Sequence, residues 1–157
     1  MTKRRRKPEN ECRYQVDVTS WDVSVFFNEY AYINLFERDP FAERYYIVLN
    51  GSLNSTSSKK AKKEMDVQVV LHPNAGWTKY EWEMREDPIG DLLVQTNPKT
   101  LLARIGIPIS SYELIRSYLT YKPQGRLELV GTEINRRSAK IFYIGFDSKK
   151  YEVEIGD

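Results

Sequence analysis

Apolar and polar residues alternate along most of this chain with the period of half-buried β-strands. Tyr14, Val16 and Val18 oppose Arg13, Gln15 and Asp17. Asp22 to Phe36 is a long β-branched and aromatic run with apolar residues on both faces. After Arg38-Asp39-Pro40, where proline presets a turn dihedral, Glu43 to Leu53 reads as the returning strand of a long hairpin. Met65, Val67, Val69 and Leu71 alternate with Asp66, Gln68, Val70 and His72. Past Pro73-Asn74-Ala75-Gly76, Tyr80, Trp82 and Met84 alternate with Lys79, Glu81, Glu83 and Arg85, which predicts a second hairpin. Arg126 to Ile134 and Ala139 to Phe146 predict a third, around Asn135-Arg136-Arg137-Ser138. A last strand carries Tyr151, Val153 and Ile155.

One stretch changes period. In Ile109–Tyr121, Leu114, Ile115, Tyr118 and Leu119 fall on one helical stripe, and Glu113, Arg116, Ser117 and Thr120 face away. Ser110 and Glu113 have the spacing of a capping box, and Ile109 and Leu114 that of a hydrophobic staple. Lys122-Pro123 ends the helix, because the residue before a proline is pushed out of the helical region. Just upstream two readings compete. Asn97-Pro98 caps a short helix over about residues 98–105 that ends at Gly106, or strand continues through Ile105 and Ile107. The span from Leu101 to Leu119 also resembles a helix–turn–helix, through Ala103, Gly106, Ile107, Ser110-Ser111 and Leu114-Ile115. Its alanine-to-glycine spacing is short, however, and Glu113, Arg116 and Ser117 are weak groups for reading bases.

These elements predict a mainly β fold. It is an antiparallel β-sandwich or partly open barrel, with one amphipathic helix at about 110–121 and the alternative short helix at about 98–105. Residues 1–11 have no periodicity and read as a flexible basic arm, with 12–157 a single β-rich domain. Asn54 to Lys63, NSTSSKKAKK, has nothing to bury and reads as a mobile connection.

Composition narrows the class. At 157 residues, 41% hydrophobic and 29% charged, the chain can bury an ordinary core. No run approaches the roughly 20 apolar residues of a membrane span, so no membrane is expected. The basic N-terminus lacks the apolar run of an export signal. Cys12 is the only cysteine, which excludes a disulfide within the chain and a thiolate metal cluster, and an intracellular, cytoplasmic setting is the simple expectation.

Charge is unevenly placed. Lys3, Arg4, Arg5, Arg6 and Lys7 supply five of the 24 basic residues. The remaining 19 face 22 acidic ones, so the rest of the chain is about −3. Lys59, Lys60, Lys62 and Lys63 form a second cluster, and Arg136-Arg137 and Lys149-Lys150 mark turn tips. On one side of the molecule these groups would grip phosphates; scattered, they would only keep strand edges soluble.

Candidate chemistry is sparse. His72, the only histidine, must serve any imidazole-based site, and it lies on the polar side of its strand before Pro73. On a strand Glu81 and Glu83 would share a face about 6–7 Å apart, within glycosidase range, but Lys79 and Arg85 compensate them there. No phosphate-binding glycine loop, zinc motif or nucleophile elbow is present. Tyr30, Tyr32, Tyr45 and Tyr46 lie on strands apolar on both faces, the pattern of burial or of an interface. The chain therefore reads as a non-enzymatic binding or assembly module, without cofactor or metal, whose arm engages an acidic partner. Its partners are a protein or a second copy. The alternatives are a nucleic-acid binder using the arm and Lys59–Lys63, and an enzyme using His72 or Glu81 and Glu83.

Overall fold

A computed structural model describes residues 11–29, 41–74, 78–84, 86–96 and 98–147. Seven strands and two helices follow in order: β1 (Cys12–Glu29), β2 (Phe41–Thr56), β3 (Asp66–Asn74), α1 (Lys79–Glu83), β4 (Gly90–Gln95), β5 (Thr100–Pro108), α2 (Ile109–Tyr121), β6 (Gly125–Gly131) and β7 (Ser138–Asp147). The sheet closes on itself in the order β1-β2-β3-β5-β4-β7-β6, with β6 returning to β1 through Cys12 beside Gly131 to Val18 beside Gly125. Closure removes the sheet edges that a sandwich would leave.

The sheet is mainly antiparallel, as expected, with one parallel seam. β3 and β5 run parallel, Val67 beside Leu101 through Asn74 beside Pro108. The chain leaves β3 through α1, runs back along β4, and turns into β5, which fits between β3 and β4 and runs in the direction of β3. The competing readings of residues 98–105 resolve as strand. Leu101, Ala103, Ile105 and Ile107 are buried at alternate positions inside the barrel, so the span cannot be the first helix of a helix–turn–helix. They meet Val67, Val69 and Leu71 of β3, Leu92 of β4, Leu127 and Leu129 of β6, and Tyr14 and Val16 of β1 in one core.

The strong coil that closure demands shows at Gly51, opposite Val18 at a bulge between β1 and β2. A Cβ there would run into the carbonyl oxygen of Asp17, so only glycine allows the two backbones to approach. β1 and β2 also outrun the barrel. Above Val18 and Ile47 they pair only with each other, up to Glu29 beside Phe41, as a two-stranded ribbon among the described residues. The alternating Tyr14–Val18 segment and the run that starts at Asp22 belong to one strand, because β1 continues through its bulge. The Arg38-Asp39-Pro40 turn and the strand at Tyr151–Ile155 lie outside the described residues, as do Tyr30 and Tyr32.

Two helical expectations are revised. Tyr80–Met84 belongs to α1 and its cap, not to a strand. The Thr78 hydroxyl accepts the Glu81 N–H at 3.1 Å, the Glu81 carboxylate accepts the Thr78 N–H at 3.5 Å, and the Trp82 indole N–H donates to the Gly106 carbonyl at 2.9 Å. α2 occupies Ile109–Tyr121 but starts directly after Pro108, which caps it with no side-chain bond; Ser110 is then already inside the first turn, and the Ser110–Glu113 box does not form. Its packed stripe is Tyr112, Ile115 and Leu119, with Tyr118 stacked edge-on against Phe146, whereas Leu114 is 67% exposed. No helix among the described residues is long and apolar enough to cross a membrane.

Candidate functional site

Strand directions sort the connections between two barrel ends. One end carries the start of β1, the loop from β2 to β3, the β4–β5 turn and the β6–β7 turn. Both helices and the ribbon lie at the other. The first end collects Lys59, Lys60, Lys62, Lys63, Lys99, Arg136 and Arg137, all exposed, and none takes part in an ion pair among the described residues. The acidic residues there are Glu11, Glu64, Asp66 and Glu133. At the helical end Glu81, Glu83, Glu86, Asp87 and Glu113 are exposed against Arg116 and the half-buried Lys122, so acidic groups predominate there among the described residues.

Glu133 holds the basic end together. One carboxylate oxygen accepts from the Ser58 hydroxyl and from the Ile134 N–H at 3.0 Å. The other accepts from the Lys59 N–H at 3.0 Å and the Cys12 thiol at 3.5 Å. Burial works against ionisation, but the bonds from Ser58, Lys59, Ile134 and Cys12 outweigh it and hold this carboxyl below its ordinary range. The Ser58 oxygen in turn accepts the N–H groups of Lys60 and Ala61, and both Ser58 and Ala61 are buried. The connection expected over Asn54–Lys63 is tied down at several points. Asn54–Thr56 continue β2, and the lysines project from a turn pinned to the β6–β7 connection. Arg13 N–H to Ser57 and Thr56 to the Arg13 carbonyl, both at 2.9 Å, fasten its base to β1.

The β6–β7 turn is under conformational strain. Asn135 and Ser138 bond each other in both directions, at 2.8 and 3.1 Å, so Arg136 and Arg137 are the central residues of a two-residue hairpin. Their φ angles are 51° and 71°. Positive φ at both central positions is the type I′ pattern, which favours Asn-Gly because a Cβ disfavours it. Glu64, at φ 74°, closes the lysine loop. All three positive-φ non-glycine residues among those described therefore sit at the basic end. Strain of this kind collects where a surface is shaped for something other than stability.

No family model, curated protein or solved structure matches the chain. The site is read from its own chemistry.

The other candidate residues do not converge. His72 is half-buried on the outer face of β3, near Arg104 of β5 and Asp91 of β4. Burial, then the Arg104 charge, lower its pKa, with Asp91 opposing. Both Asp91 oxygens accept from Arg104, at 3.2 and 3.1 Å, so the carboxylate is engaged with the guanidinium. Glu81 and Glu83 are exposed two residues apart on α1, where such a spacing places side chains on different sides; the shared face expected for them is overturned. The Cys12 thiol is buried and its pKa is raised, first by burial and then by Glu133, so it stays protonated. Among the described residues no group of three His, Cys, Asp or Glu could hold a metal ion. A cleft of about 400 Å³ beside the basic end is lined by Thr19, Asn50, Asp66, Gln68, Gln95 and Thr100, with Asp66 its one charged side chain.

Lys3, Arg4, Arg5, Arg6 and Lys7 lie outside the described residues, but the chain enters the barrel at the basic end, where Cys12 pairs with Gly131. Lys7 stands five positions before Cys12, a reach of at most about 18 Å. Lys149 and Lys150 also lie outside the described residues, and β7 leads to them from the opposite end, at Asp147 beside Arg126. Sequence reasoning named the lysine cluster and the Arg136-Arg137 tip but not Glu133, Lys99 or their common end. A glutamate bonded to a loop 74 residues away leaves no local pattern to find.

The lowered pKa of His72 has a measurable consequence. An imidazole kept neutral by burial binds its proton more weakly in the folded state than at its ordinary 6.5. Stability is then full above that value and falls as the pH drops from about 6.5 through the lowered folded pKa. His72→Gln should flatten this segment of a plot of urea midpoint against pH. An unchanged slope would place the titration elsewhere.

Proposed function

We propose that the chain is a non-enzymatic binding module whose basic barrel end, with the arm joined to it, engages an acidic partner. The observation that carries this reading is the gathering of the lysine loop, the Arg136-Arg137 turn and the arm's point of entry at one end, clasped by Glu133. Seven cations against four carboxylates, one of them consumed in the clasp, give that end a positive field in a chain of net charge +2.

The test is binding to a heparin column and, in solution, to a fluorescent polyanion at two salt concentrations. Each cation in contact contributes roughly 0.9 to the slope of log affinity against log salt. Changing Lys59, Lys60, Lys62 and Lys63 together to glutamine should reduce that slope by up to about 3.6 and weaken binding at least tenfold. Retention that ignores salt, or survives the four substitutions, would reject the basic end as the binding surface.

The ribbon favours a second reading, assembly with another copy. Two strands alone are marginal in water, and their outer hydrogen-bonding edges above Val18 and Ile47 have no strand beside them among the described residues. Sedimentation at high salt separates the two, since self-association through a ribbon persists where a polyanion complex dissolves.

A further inference from the structure

We infer that the acidic partner is duplex nucleic acid, gripped through its phosphates without reading bases, and that the Arg136-Arg137 tip is the clamp. The inference rests on the binding-module reading above and adds the partner's class. Three observations favour phosphate over an acidic protein surface. First, protein interfaces are anchored by aromatic and apolar side chains and are depleted in lysine. The described connections at this end, 56–66, 95–96, 98–100 and 131–138, hold no aromatic residue, and Ala61 and Ile134 are buried. The large exposed hydrophobics among the described residues, Tyr80, Leu114, Tyr121 and Tyr143, lie on the helices and on β7. Second, single-stranded nucleic acid is held by aromatic platforms on which bases stack, and these connections offer none. A duplex, whose outer surface is phosphate, asks only for cations. Third, two guanidiniums occupy the hairpin positions that Asn-Gly would fill at lower conformational cost. Arginine offers a planar fork that matches two phosphate oxygens, which a turn selected for stability alone has no use for. The lysine loop flanks the tip through Glu133, so the loop and the tip meet one backbone as a single surface.

The deciding variant is Arg136→Asn with Arg137→Gly, which installs the relaxed turn and removes the clamp. Fluorescence anisotropy would use a 20-base-pair DNA duplex, an RNA duplex of the same sequence, the single DNA strand, and polyglutamate as an acidic polypeptide, at 50 and 200 mM salt. The expected result is salt-dependent, roughly micromolar binding of both duplexes, weaker binding of the single strand, and little of polyglutamate. The variant should melt about 3–6 °C higher than the native chain, bind duplex about tenfold more weakly, and show a salt slope reduced by about 2. Loss of affinity in a protein that melts higher cannot be blamed on misfolding. Polyglutamate binding without duplex binding would overturn the nucleic-acid inference and leave the module reading standing. Single strand preferred over duplex, or a variant that binds duplex as the native chain does, would also overturn it. Binding of no polyanion at all would remove both.

Discussion

Replacing Glu133 with alanine should lower stability by about 3 kcal/mol and, in the same stroke, scatter the lysines of the basic end. The carboxylate accepts four hydrogen bonds, from Ser58, Lys59, Ile134 and Cys12. Bonds to a charged acceptor are worth roughly 1.5–3 kcal/mol each, but the four share one partly exposed carboxylate and do not add, so the net loss falls well below their sum. Alanine leaves the buried Ser58 hydroxyl without its acceptor, which costs more than the pair ever contributed. The sign with pH follows from the lowered pKa. Glu133 contributes fully above its ordinary value of 4.5, and that contribution is lost as the pH falls through the folded value. Urea titrations of the native chain and Glu133→Ala should therefore differ most at neutral pH and converge in acid. Glu133→Gln retains the shape but not the charge and should fall between them. A gap that stays constant down to low pH would show that packing, not the carboxylate, holds the loop.

Ile105→Ala should cost about 3–4 kcal/mol, the largest effect expected of any single substitution considered. Ile105 is fully buried at the middle of β5, between Leu71 of the parallel neighbour and Gly90 of the antiparallel one. Its Cδ1 fills the space beside Gly90, since a Cβ on that glycine would lie 2.8 Å away. Truncation thus opens a void where the opposing strand has no side chain to collapse into it, the circumstance in which Leu- or Ile-to-Ala changes lie toward the upper part of their roughly 2–5 kcal/mol range. For a chain of this length the melting temperature should fall by about 8–15 °C. Ile105→Val, one methylene smaller, should cost about 1 kcal/mol. Equal effects from the two would mean that the barrel interior is loosely filled at this level.

The period of two was a faithful guide wherever a strand had one wet face, as in β3, β6 and β7, and it misled where a short element showed the same alternation. Tyr80, Trp82 and Met84 alternate only because one helical turn is too short to reveal its own period. Both helices offered the same cue, Thr78 with Glu81 and Ser110 with Glu113. Only the first is used, because Pro108, extended at φ −60° and ψ 145°, takes the cap position itself and starts α2 two residues too early for Ser110 to cap it. The candidate site was legible in its cations, which are local in sequence. Its organiser and its geometry were not, because the Glu133 clasp and the closure of β6 on β1 are set by the whole barrel. The strain at Arg136 and Arg137 lay in between: the turn was readable, and a hairpin of two residues already demanded left-handed φ from them.

Barrel closure also sets the order in which this chain can acquire its shape. The seam between β1 and β6 joins Cys12 to Gly131, so the first strand of this barrel to be synthesised is sealed only by the sixth. Contacts of such long sequence separation place folding in the slow, millisecond-to-second class of all-β topologies. Until β6 is made, the edge from Cys12 to Val18 stays open to any passing strand. A chain halted before Gly125 would keep that edge permanently, with β2 already able to pair on its other side. Aggregation during synthesis, rather than loss of native stability, is then the hazard to which truncations of this protein are most exposed.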